Sequence, residues 1–182
     1  MTCIVGLIDN GKVWIGGDSS AASGWMVRSS DCPKVFRVGE FLIGYTTSFR
    51  MGQILQYHLS IEPQNGHQDD FAYMVRNFAE AARSCLKDFG FAKIDNNEER
   101  GGVFLVAYRN NLYSIDSDFQ VNKMTDGFDA AGCGREFALG ALAALADLPA
   151  RERIERALEI AANFSGGVLG PFTIVDVGDG VS

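Results

Sequence analysis

The sequence predicts an α+β fold, arranged as a four-layer αββα sandwich. Strand-like runs open the chain, two helices follow, strands return, and two more helices precede a closing strand. Two sheets, each covered by a helix pair, would bury one face of every element. A length of 182 residues provides a sizeable core for a single domain over 1–182, with no linker, low-complexity tract or fixed-period repeat. On pattern alone, a plain α+β domain with one sheet satisfies the same order.

Residues 2–9 (TCIVGLID) and 12–18 (KVWIGGD) are strand-like and meet at Asn10-Gly11, a strong hairpin signal. Residues 19–33 are small and polar and end on Pro33, which predicts a loop. A second hairpin joins 34–38 to 41–45 around Gly39-Glu40. From Ser48 to Leu59, Met51, Ile54, Leu55 and His58 recur at helical spacing. Residues 60–68 form a turn-rich connection. A longer helix is predicted from Asp70 to Phe89, with Phe71, Val75, Phe78, Ala82, Cys85, Leu86 and Phe89 on one buried face. A polar loop spans 90–101, and strands follow at 103–108, 112–116 and 120–123. The AAGCGRE turn then leads into helices over 134–147 and 150–164, divided by Pro149, and 172–177 closes the chain as a strand.

Composition excludes several functions. With 47% apolar and 21% charged residues the chain is an ordinary soluble globular protein. A net charge of −7 argues against a nucleic-acid partner, which needs a basic face. Asp9, Lys12 and Asp18 interrupt the apolar N-terminus, so no run approaches the roughly 18 residues of a membrane span, and MTCIVGLIDN, with neither a basic start nor a longer apolar stretch, is not expected to act as a secretory signal. Cys3, Cys32, Cys85 and Cys133 show neither a CxxC nor a zinc-type spacing, which suits reduced thiols in the cytoplasm. With only His58 and His67, a histidine triad or a multi-histidine metal site is not expected. No GxGxxG or phosphate-loop motif is present, so no cofactor is expected. Cys3 reads as a core residue, while Glu98-Glu99-Arg100 and Arg151-Glu152-Arg153 read as solvated charge runs.

The chemistry concentrates at the start of the chain. Removal of Met1 would make Thr2 the first residue, placing a hydroxyl nucleophile and its own α-amine, acting as base, in one site. Asp18 and Lys34 lie where the first strands would bring an acid and an ammonium to the same end of a sheet. Lys34 would lower the pKa of the Thr2 hydroxyl and amine, and Asp18 would offset the cost of burying the ammonium. The pattern suggests an N-terminal-nucleophile hydrolase.

The segments MTCIVGL, GGDSSA, PKVF, AAGCGREFALGAL and SGGVLGPF resemble a proteasome β-type subunit. They resemble still more the small peptidase of the bacterial ATP-dependent heat-shock protease and its short relatives. The resemblance runs from residue 2 to about 177 and is most specific in the joint spacing of Thr2, Asp18 and Lys34. It implies attack by Thr2 on the carbonyl of a peptide or amide substrate, an acyl-enzyme and hydrolysis by water. It also implies a backbone oxyanion donor near Thr47 or Ser48, support from Cys133 and Ser165, a homo-oligomeric ring and an ATPase unfoldase partner.

The sequence departs from that pattern at three places. The glycine expected near Ser48 is absent, Gly132-Cys133-Gly134 replaces Gly-Ser-Gly, and Ala162 replaces an Asp three residues before Ser165-Gly166-Gly167. Cys133 is therefore either a packing residue in a tight turn or a hydrogen-bond partner of the site. Two other functions stay open: a catalytically silent scaffold subunit, and a small-amide hydrolase whose pocket is closed by Arg28, Ser48 and Phe49.

Overall fold

The computed structural model describes residues 1–23, 25–95 and 98–178. Four strands form one sheet: β1 (Cys3–Asp9), β2 (Lys12–Gly17), β12 (Phe128–Gly132) and β13 (Thr173–Asp176), in the order β12-β1-β2-β13. Five strands form the other: β5 (Val35–Val38), β6 (Phe41–Tyr45), β9 (Phe104–Tyr108), β10 (Asn111–Ile115) and β11 (Val121–Asn122), in the order β11-β10-β9-β6-β5. Neighbours in both sheets are antiparallel. Helices α1 (Phe49–His58), α2 (Asp70–Tyr73) and α3 (Ala79–Asp88) cover the five-stranded sheet. Helices α4 (Arg135–Ala144) and α5 (Ala150–Phe164) cover the other. This is the predicted four-layer αββα sandwich.

The alternation of side chains along each strand builds three apolar layers. On β1, Cys3, Val5 and Leu7 pack with Ala138, Leu142, Ile154 and Leu158 of α4 and α5, while Ile4 turns to the opposite sheet. On β6, Ile43 and Tyr45 pack with Met51, Ile54 and Leu55 of α1, while Leu42 joins Ile4, Val13, Ile15 and Leu105 between the sheets. Both faces of these strands are buried, so they read as nearly continuous apolar runs. Gly44 lets the sheets close on each other, since a Cβ there would run into Ile4 and Ile15.

Several expectations change. The segment expected as a loop over 19–33 contains a small hairpin, β3 (Ser20–Ser23) and β4 (Met26–Ser29). Its small polar residues hide the pairing because little of it faces a core. Likewise, 90–101 contains β7 (Lys93–Asp95) paired with β8 (Glu98–Arg100). The first three residues of the AAGCGRE segment, expected as a turn, belong to a strand, β12, which pairs with β1. The 70–89 helix contains a π-helical stretch at Met74–Phe78. The wider turn shifts the phase of the apolar face, so Tyr73 and Met74 are buried in place of the expected Phe71 and Val75. Phe89 is also exposed and stacks on His58.

The two charge runs are also partly committed. Glu99 is held by Lys87 and Arg83 of α3, which pull its carboxyl below the usual range and tie β8 to the helix. Arg153 donates to the Leu142 carbonyl near the end of α4 and lies over the Phe128 ring. No helix among the described residues is long and apolar enough to cross a membrane.

Candidate active site

Thr2, Asp18 and Lys34 converge at one end of the sandwich because of strand register. Cys3 pairs with Gly132 and Ile4 with Gly17, so the residue before β1 lies beside the residue after β2. The Asp18 N–H donates to the Cys3 carbonyl and the Cys133 N–H to the Thr2 carbonyl, at 2.8 Å for the latter. Lys34 enters from the other sheet, one residue before β5, where its carbonyl accepts the Tyr45 N–H. The site thus joins the ends of both sheets.

Its side chains form a closed polar set. Lys34 Nζ donates to Thr2 Oγ1 at 3.0 Å, to Asp18 Oδ1 at 3.0 Å and to Ser20 Oγ at 3.1 Å, which satisfies all three ammonium protons. Asp18 accepts from the Cys3 and Ser20 N–H groups, both at 2.9 Å, and from the Leu169 N–H at 3.4 Å. Thr2, Asp18, Ser20 and Lys34 are all at least 94% buried, with Lys34 only 2% exposed. Burial pushes the Lys34 pKa below its ordinary value, and Asp18 opposes that shift. Phe49 faces the same ammonium from 5.7 Å. Cys3 is unsuited to act as nucleophile, because burial, and then Asp18, raise its thiol to about 12.

Met1 precedes Thr2 here, so the Thr2 nitrogen is a peptide nitrogen and its hydroxyl donates to the Met1 carbonyl. The Thr2 N–H points at Cys133 Sγ, 3.3 Å away. Ser165 Oγ reaches both the Cys133 carbonyl and its Sγ, each at 3.3 Å. Cys133 is therefore a hydrogen-bond partner of the cluster rather than packing alone. Ala162 lies on α5 against the apolar layer and adds nothing polar. Between strand and turn, Gly132 has φ +96°, and a Cβ there would overlap the Thr2 carbonyl oxygen. Gly132→Ala should cost about 1–3 kcal/mol or more. A thermal melt with no loss of stability would contradict this account of how Thr2 is held.

Ser48 plays a different part from the one expected. Its side chain caps α1 by accepting the Arg50 N–H, and its own N–H is engaged with the Thr46 carbonyl at 2.8 Å. Thr47 occupies the left-handed region at φ +71°, an uncommon position for a β-branched residue. Thr47, Ser48, Phe49, Tyr45, Ala22, Ser20, Lys34 and Thr2 line a cleft of about 280 Å³ into which Met1 also projects. A larger hollow of about 540 Å³ around His67 and Arg76 shares none of these residues.

Solved structures match over nearly the whole chain, among them the following. Thiobacillus denitrificans BPH superposes with a TM-score of 0.82 at 20% identity, covering 96% of each chain. The same protein in complex with epoxomicin gives 0.80 at 19%, covering 96% of this chain and 97% of that one. Eukaryotic HslV from Trypanosoma brucei gives 0.68 at 20%, covering 96% and 98%. The fold is theirs. No protein-family model matches the chain. The αββα sandwich is thus the fold of Thiobacillus denitrificans BPH and of Trypanosoma brucei HslV.

Ser20 was missed in the sequence. It sits two residues beyond Asp18, in a run of small polar residues that suggests only a loop. Its place beside Lys34 comes from the fold, in which its N–H donates to Asp18 and its hydroxyl to the Gly167 carbonyl.

Proposed function

We propose that this chain is an N-terminal-threonine amidohydrolase that cleaves peptide bonds through an acyl-enzyme on Thr2 once Met1 is removed. The observation that carries this reading is the buried Lys34 ammonium, 3.0 Å from the Thr2 hydroxyl and 3.0 Å from Asp18. An ammonium there stabilises negative charge developing on Thr2 Oγ1 in a site shielded from water. The freed α-amine of Thr2 would take the hydroxyl proton as Oγ1 bonds to the carbonyl carbon. The tetrahedral intermediate then collapses: the C–N bond breaks, the leaving amine takes that proton, and an ester on Thr2 remains. Water hydrolyses the ester and restores the hydroxyl. The Thr47 N–H, which donates to no partner among the described residues, is the proposed oxyanion donor in place of Ser48. Cys133 and Ser165 would hold the freed amine.

The absence of Arg28 from the cleft lining favours peptides over small amides. Arg28, expected to close the pocket, is exposed on β4 and does not line it, so only Ser48 and Phe49 of that trio do. Ring assembly and an ATPase partner remain part of the proposal. The apolar faces of 48–59 and 70–89 are largely spent on the subunit's own core, which leaves Tyr57, Phe71, Val75 and Phe89 for contacts between subunits. A cytoplasmic location is part of the same proposal, on the scattered spacing of Cys3, Cys32, Cys85 and Cys133.

The test is hydrolysis of a tripeptide aryl amide compared with that of a single amino-acid amide, using protein that lacks Met1. Preference for the tripeptide supports the peptidase reading. Preference for the single amide would make the small-amide reading correct, and turnover of neither would favour a scaffold.

A further inference from the structure

Beyond the three residues of that mechanism, we infer that Ser20 is a positioning residue of this site, setting the charge and aim of the Lys34 ammonium. The inference rests on the proposed function. Ser20 is 1% exposed and its Oγ lies 3.1 Å from Lys34 Nζ. The hydroxyl carries one proton, and two carbonyls compete for it: Gly167 at 2.7 Å and Met1 at 3.3 Å. Gly167 holds the shorter contact, and removal of Met1 leaves it without a rival. With its proton turned to Gly167, Ser20 directs its lone pairs at the ammonium and acts as an acceptor.

An ammonium buried this deeply needs an acceptor for each of its three protons. Asp18 Oδ1 supplies one, Thr2 Oγ1 the second and Ser20 the third. Thr2 is the reacting atom, and its lone pairs are drawn into the new bond during attack. Asp18 and Ser20 are then the two fixed acceptors that keep Lys34 charged and in place. Ser20 also couples the start of β3 to the 165–168 turn, because Gly167 neighbours Cys133 Sγ. The ammonium and the group expected to receive the amine are thereby positioned relative to each other through one hydroxyl.

The sign of the effect follows. Removing an acceptor disfavours the charged lysine and adds to the downward shift that burial already causes. The alkaline limb of the pH–rate profile, where Lys34 loses its proton, should therefore move to lower pH.

The experiment measures the rate of epoxomicin adduct formation against pH, by intact mass, on assembled protein lacking Met1. For Ser20→Ala we expect an alkaline limb about one pH unit lower, and hence a rate reduced about tenfold at any pH on the wild-type limb. Ser20→Thr keeps the hydroxyl and should hold the limb near the wild-type position. Ser20→Cys, close in size but a weak acceptor, should shift it in the same direction as alanine and guards against an alanine variant that fails to fold. A limb that stays in place in both the alanine and cysteine variants, with adduct still forming, overturns the role of Ser20 and leaves the proposed function standing. Wild-type protein that lacks Met1 yet forms no adduct overturns both.

Discussion

Thr2→Ala is expected to give a folded, assembled protein that neither hydrolyses peptide amides nor takes up epoxomicin. Neither Cys3 nor Ser20, its neighbours at the site, can replace the hydroxyl. Cys3 is buried with its thiol raised to about 12, and Ser20 has its proton committed to Gly167 at 2.7 Å. The loss in kcat should be on the order of 10⁴-fold or more, as when an acyl-transfer nucleophile is deleted. Stability should change little, by about 1 kcal/mol, because Lys34 keeps Asp18 and Ser20 as partners. Undiminished hydrolysis in this variant, checked against a steady-state rate for wild type, would sink the mechanism.

Lys34→Met should be inactive and also much less stable. It removes the electrostatic activator of Thr2 and strands the Asp18 carboxylate, whose side chain is fully buried. Breaking one side of a buried ion pair costs about 3–5 kcal/mol. The N–H donors of Cys3, Ser20 and Leu169 soften that loss, so the lower end of the range is expected. The two effects can be separated. Adding Asp18→Asn removes the stranded charge and should recover much of the melting temperature while activity stays lost. Recovery of activity in the double variant would mean that the ammonium is not the activator.

The layer order was legible because both sheets are buried on two faces and both helix pairs carry apolar stripes. The Asn10-Gly11 and Gly39-Glu40 turns fixed two hairpins, which in turn brought Thr2, Asp18 and Lys34 together. What was hidden had physical reasons. β12 is short and built of Phe128, Asp129, two alanines and Gly132, so it looks like a turn until β1 pairs with it. The π-helical stretch at Met74–Phe78 breaks the 3.6-residue period, so Tyr73 and Met74 are buried where Phe71 and Val75 were expected. Ser48 stands at the head of a helix, so from sequence its N–H reads as a free donor. Its N–H is taken up by Thr46 because Thr47 turns the chain through the left-handed region, a local conformation that threonine does not advertise. Ser165 and Cys133 do meet, through a turn whose spacing could be read but whose hydrogen bonds could not.

The most direct test of the central claim is the intact mass of the purified protein before and after exposure to epoxomicin. We predict a chain lacking Met1 that gains one inhibitor mass per subunit, and no gain in Thr2→Ala. A chain that lacks Met1 and gains nothing would contradict a working nucleophile at Thr2. A chain that retains Met1 and gains nothing would leave the fold in the role of a scaffold or precursor.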